Sequence, residues 1–114
     1  MLRKGSDLKG RLEAHMVNHS SGFTSTTDGQ IVDVKELGGY MVSIASFSCA
    51  DGKIPDLDKW QAKKAYIGGW FSGGKWYIDV SINIPGLQSA LEIARKMREL
   101  AIFDCKNLRD ISVG

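Results

Sequence analysis

The stretch Lys75-Trp76-Tyr77-Ile78-Asp79-Val80-Ser81-Ile82-Asn83-Ile84 alternates apolar and polar residues without a break over its whole length. Trp76, Ile78, Val80, Ile82 and Ile84 fall on one side, and Lys75, Tyr77, Asp79, Ser81 and Asn83 on the other. A period of two with β-branched residues on the apolar side is the pattern of a strand covered on one face. Immediately upstream, Ile67 to Phe71 reads as a second strand, and Ser72-Gly73-Gly74 supplies a turn whose glycines accept the positive φ of a tight hairpin. The hairpin is the nucleus of the fold reading.

Working outward, Pro85 suits the first turn of a helix over 86–98. Leu87, Ala90, Leu91, Ala94 and Met97 recur at helical spacing, with Gln88, Glu92, Arg95, Lys96 and Glu99 on the other side. Glu92–Lys96 and Arg95–Glu99 are opposite charges four apart, a helix-surface pairing. Leu100 to Phe103 then reads as a short buried strand. Strand, helix and strand would make a β-α-β unit, with parallel pairing left open and a right-handed crossover expected if it is parallel.

In the other direction, Gly39 to Phe47 is rich in strand formers, and Asp51-Gly52-Lys53 is a turn. A helix is expected from Asp56 to about Tyr66, with Leu57, Trp60, Lys64 and Ala65 sharing one side. Ser20-Ser21-Gly22 and Ser25 to Gly29 read as turns, with Phe23 between them as a peg into the core. Asp7 could cap a short helix to about Asn18, weakened by Gly10. Residues 1–21 form an N-terminal segment, a short helix or a mobile lead, and 22–114 a single domain. The fold class is α/β in the α+β sense: a small mixed sheet containing a hairpin, with one or two helices packed on one face.

The 114 residues are 43% hydrophobic and 25% charged, which is ordinary globular composition. A net charge of +2 makes no case for a dedicated nucleic-acid binder, whose basic excess is larger. Cys49 and Cys105 are too few for a disulfide scaffold and read as reduced thiols. The basic start Met1-Leu2-Arg3-Lys4 has no apolar core behind it, and no run reaches membrane-spanning length. The expected setting is cytoplasmic, without a membrane.

No constellation reads as catalysis. His15 and His19, four apart, are half of a metal site, and no later histidine completes it. Lys106 beside Cys105 and Lys53 near Cys49 are weak hints of an activated thiol, and two structural thiols are the simpler reading. The pairs Gly38-Gly39, Gly68-Gly69 and Gly73-Gly74 match no nucleotide fingerprint; hairpins and helix ends explain them. No cofactor and no metal is expected. The polar side of the 75–84 strand draws attention, because Asp79 has poor strand propensity and something other than backbone preference must keep it there. With Trp70, Tyr77 and Ser81 it forms a candidate binding row; the alternative is a merely solvated sheet face. A nucleic-acid reading rests on Lys59, Lys63 and Lys64 beside Trp60, since bases stack on aromatics within basic grooves.

The strings Gly68-Gly69-Trp70 and Lys75 to Ser81, the alanine-containing helix leading to Leu100-Ala101-Ile102-Phe103-Asp104, and upstream Gly22-Phe23-Thr24 and Gly39 to Ser43 together resemble small uncharacterised proteins of tailed phages and prophages. The resemblance covers about residues 22 to 111. It departs at Pro85-Gly86, where such relatives open the last helix on an acidic residue. It carries no catalytic residues, and implies an accessory protein that binds a host or phage protein in the host-cell cytoplasm, inhibitors of host defence being one such class. The alternative function is a small nucleic-acid-binding module. An enzyme acting through Asp79, Ser81 or Asp104 comes third. Both a monomer and a homodimer are compatible with the sequence.

Overall fold

A computed structural model describes residues 4–18, 22–49, 54, 57, 60 and 64–114. Among these the elements are α1 (Lys4–Asn18), β1 (Phe23–Thr26), α2 (Val34–Leu37), β2 (Tyr40–Cys49), β3 (Tyr66–Ser72), β4 (Lys75–Ile84), α3 (Leu87–Lys96), β5 (Ala101–Asp104) and β6 (Arg109–Ser112). The six strands form one sheet in the order β1-β3-β4-β2-β5-β6, and every pairing is antiparallel. The expected 56–66 helix lies largely outside the described residues, and Tyr66 already belongs to β3.

β4 sits at the centre, between β3 and β2, and its alternation becomes the two faces of the sheet. Trp76, Ile78 and Val80 are buried beneath the helices, while Tyr77 and Asp79 stand half-buried on the opposite face. The β3–β4 hairpin closes through Gly73 (φ 58°) and Gly74 (φ 82°), the successive left-handed residues of a two-residue loop. β5 does not join β4 after the helix. It pairs antiparallel with β2, through Tyr40–Asp104 and Met41–Phe103. The question of a parallel β-α-β unit is thereby resolved: α3 leads the chain over β2 to its far edge.

Both long helices cover the same face. Leu8, Leu12 and Met16 of α1 are buried against Ile67, Trp76, Ile78 and Val80. Ala90 and Ala94 of α3 pack on Val42, Ile102 and Val113. The stripe that α3 turns inward is narrower than its sequence spacing suggests, since Leu87 and Met97 are exposed. Two fully buried alanines let the helix axis approach the sheet closely, and the wider side chains stay at the margins. The Arg95–Glu99 pair does not form on a helix face, because α3 ends at Lys96.

Two short strands form the edges of the sheet, and one of them, β1, replaces part of a stretch whose composition reads as a turn. β1 takes up Ser25 and Thr26, which pair with Ile67 and Tyr66. Phe23 is the expected peg: its ring lies over Gly69, where a Cβ would come within 2.5 Å of it, and it meets Trp76 at 6.1 Å between ring centroids. β6 folds back on β5 through a turn held by Asp104, whose carboxylate accepts hydrogen bonds from the Asn107 side-chain amide (2.8 Å) and backbone N–H (3.2 Å).

These bonds from Asn107 are the main reason the Asp104 carboxyl titrates below its ordinary value of 3.8. A folded-state value below the unfolded one contributes stability that is complete at neutral pH and is lost as pH falls through the folded value. Asp104→Asn is therefore expected to lower the urea midpoint at pH 7. The deficit should shrink when both proteins are unfolded at pH 3. An equal deficit at both pH values would remove the charge from this explanation.

Candidate functional site

The face of the sheet away from the helices is where the sequence places its candidate row, and register decides what that row becomes. Trp70 pairs with Tyr77, Gly68 with Asp79, and Tyr66 with Ser81. On the other side of β4, Ser48, Ser46 and Ser43 pair with Tyr77, Asp79 and Ser81. Asp79 is thus the centre of a three-by-three grid. Its neighbour on the β3 side is a glycine, so one position of the grid has no side chain.

Ser43 and Ser46 should point to opposite faces in a regular strand, being three apart. A bulge at Ile44, between the pairs Ser43–Ser81 and Ala45–Val80, shifts the phase and puts both serines on the open face. Both hydroxyls then donate to Asp79 Oδ1, Ser46 at 2.9 Å. Ser81 donates to Oδ2, also at 2.9 Å. Three hydroxyl donors account for a carboxylate in mid-strand, where backbone propensity alone disfavours it. Bulges commonly re-aim side chains in this way beside functional sites.

The sheet is strongly curled about this centre. Thr24 on one edge strand and Asp110 on the opposite edge strand line the same cleft, a space of about 350 Å³. Asp79, Ser81 and Gly68 form part of its lining, with Tyr66, Trp70, Met41 and Phe103 giving it aromatic and apolar walls. Trp70 stacks on Tyr77, with centroids 5.6 Å apart and planes 17° from parallel, yet remains 43% exposed. The four residues read from the sequence as a binding row are brought together. Trp70, Asp79 and Ser81 line the cleft, and Tyr77 supports Trp70.

Asn83, on the same side of β4, belongs elsewhere. Its amide donates to the Gly38 carbonyl at 2.9 Å and pins the entry to β2. Sequence reasoning missed Ser43 and Ser46, Gly68, Tyr66, Phe103 and Asp110. The one legible signal for the serines was the broken period of Val42-Ser43-Ile44-Ala45-Ser46-Phe47, in which an extra residue separates two alternating halves.

The other candidates disperse. Lys59 and Lys63 lie outside the described residues, Lys64 is exposed, and Trp60 is half-buried and packs against the core. His15 Nε2 is 2.7 Å from the Gly29 carbonyl, its ring 5.5 Å from that of Phe23; His19 lies outside the described residues. Cys49 and Cys105 are buried thiols. Burial, with the Asp104 charge adding to it, raises the Cys105 thiol above its usual range, the reverse of what a nucleophile requires. Among the described residues no helix is long and apolar enough to cross a membrane. Compared with known proteins, the chain matches no protein-family model, no curated protein and no solved structure.

Proposed function

We propose that the chain acts by binding another protein through the concave, helix-free face of its sheet, as a non-enzymatic accessory protein of phage or prophage type working in the host-cell cytoplasm. The observation that carries the binding reading is the cleft itself. A carboxylate organised by three hydroxyls lies in a curled sheet, walled by aromatic residues and left open by a missing side chain. The hydroxyls of this centre face a carboxylate, and among the described residues no histidine lines the cleft to activate one of them, so the arrangement favours recognition over turnover. The exposed aromatic side chain in the cleft wall, Trp70 at 43% exposure, is a residue type that anchors protein interfaces. The phage setting rests on the sequence resemblance, and inhibition of a host defence is the role that setting favours.

The test is capture of a partner from bacterial cells by the tagged protein, with variants on both faces. A protein retained by the wild type should be released by Trp70→Ala and kept by Leu87→Ala, which alters an exposed side chain on α3. Truncating a central aromatic anchor typically costs an interface about 2 kcal/mol or more, roughly thirtyfold in affinity. Release by both variants, or by neither, would count against this face. Retention of nuclease-sensitive material instead, lost steeply as salt rises, would favour the nucleic-acid alternative.

A further inference from the structure

Resting on that reading, we infer that the cleft is built to receive the guanidinium of an arginine side chain presented by the partner protein, placed over Gly68 and against Asp79. Four observations converge on this chemistry. Gly68 has ordinary backbone dihedrals, and a Cβ built on it would meet nothing nearer than the Phe23 carbonyl at 3.9 Å. Neither conformation nor crowding calls for glycine here, and glycine in a strand interior is a cost. What its absent side chain leaves is space directly beside Asp79, its register partner.

The second observation is the hydrogen-bonding sense of the floor. Ser43, Ser46 and Ser81 each have one hydroxyl proton, and all three are directed at Asp79. What remains on the floor is lone pairs: those of the serine oxygens, and those of Oδ2, which among the described residues takes only the Ser81 bond. An incoming group must therefore bring donors, and the carboxylate favours one that brings positive charge.

Third, no lysine, arginine or histidine among the described residues lines the cleft, whereas a second carboxylate, Asp110, does. The site has no internal cation to neutralise it, and a phosphate or other anion would meet repulsion. Fourth, the walls include Tyr66, Trp70 and Phe103. Aromatic faces attract cations, and a planar guanidinium can lie along a ring while its N–H groups reach a carboxylate in bidentate fashion. The combination distinguishes arginine from an apolar anchor, which would leave the acceptor-lined floor without partners.

The experiment titrates the ¹⁵N-labelled protein with N-acetyl-arginine amide and, separately, with the neutral N-acetyl-citrulline amide of nearly the same shape. The arginine compound should shift the Gly68, Asp79 and Ser81 amides and the Trp70 indole, with citrulline at least about tenfold weaker, the factor expected of a charge-assisted bond. Asp79→Asn and Gly68→Val should each abolish the arginine response. Gly68→Val leaves Asp79 and its serines in place and sets a Cβ in ordinary contact with the Phe23 carbonyl at 3.9 Å, so with its unfolding midpoint recorded alongside it separates loss of the site from loss of the fold. Equal responses to the two compounds, no response at these signals, or an undiminished response in Gly68→Val would overturn the inference. If the arginine titration fails while Trp70→Ala still releases a captured protein, the guanidinium site falls and the binding face stands. If arginine binds and no protein partner is held, the site stands and the protein-binding reading falls.

Discussion

Gly68→Val is expected to fold at least as firmly as the wild type and to lose the partner. On the stability side, glycine in a strand costs roughly 0.5–1 kcal/mol relative to a residue with a side chain, and valine is a strong strand former. Because a Cβ at this position meets only the Phe23 carbonyl, at 3.9 Å, no opposing steric penalty arises in the free protein. On the binding side, two methyl groups enter the gap between Tyr66 and Trp70 and cover the approach to Asp79. Loss of a central anchor costs an interface about 2 kcal/mol or more, roughly thirtyfold in affinity, and filling the gap is expected to exclude the partner's anchor. Few substitutions are expected to raise stability and destroy function together. Those that do mark positions where function, not folding, holds the residue in place. The neighbouring Gly69 supplies the contrast: its Cβ would collide with the Phe23 ring at 2.5 Å, so Gly69→Val is expected to damage the fold itself.

Leu12→Ala is expected to produce the largest loss of stability from one truncation. Leu12 is fully buried at the middle of α1, with Leu8 and Met16 a turn to either side, and this stripe forms one wall of the core under β3 and β4. Removing a buried leucine to alanine costs about 2–5 kcal/mol, through lost transfer energy and the cavity left behind. Total stabilities of domains this size run to about 5–15 kcal/mol, so a large part of the margin is at stake. Urea unfolding should show a large fall in midpoint with an unchanged slope. A change near zero would mean that α1 contributes little, and that the sheet is stable without its N-terminal cover.

How much of this was legible in the sequence follows from where each signal resides. β4 announces itself because one face is buried and the period is exactly that of the pleat, so ten residues carry the same message. The β3–β4 hairpin is equally local, since Gly73 and Gly74 sit where the loop needs left-handed backbone. β1 and β6 are four residues each and lie at the edges, where burial imposes no alternation on so short a run. The polar residues of β1 therefore read as a turn, and β6 carries no strand signal of its own. Asp79 stood out in the sequence as a carboxylate in the wrong place, and the reason for it lay in another strand. Ser43 and Ser46 reach it only because the bulge at Ile44 changes the phase of β2. Gly68 was one of a pair of glycines that turn chemistry could explain. Only its register opposite Asp79 reveals the gap as a feature, and register is a property of two strands together.

The arrangement as a whole divides the labour between the two faces of one sheet. The helix-covered face holds the apolar clusters and the stability. The bare face is left free to carry a carboxylate, its hydroxyl donors and an aromatic wall at little cost to the core. A curled antiparallel sheet suits this division, since curvature concentrates one face while strand alternation keeps its chemistry separate from the other.

The most direct test of this account measures partner capture by the wild type and by Gly68→Val side by side, with thermal unfolding of both proteins recorded in the same buffer. The account predicts a variant whose unfolding midpoint is equal or higher and which no longer holds the partner. A variant that unfolds like the wild type and still holds the partner with unchanged affinity would contradict it, and would move the binding surface away from this cleft.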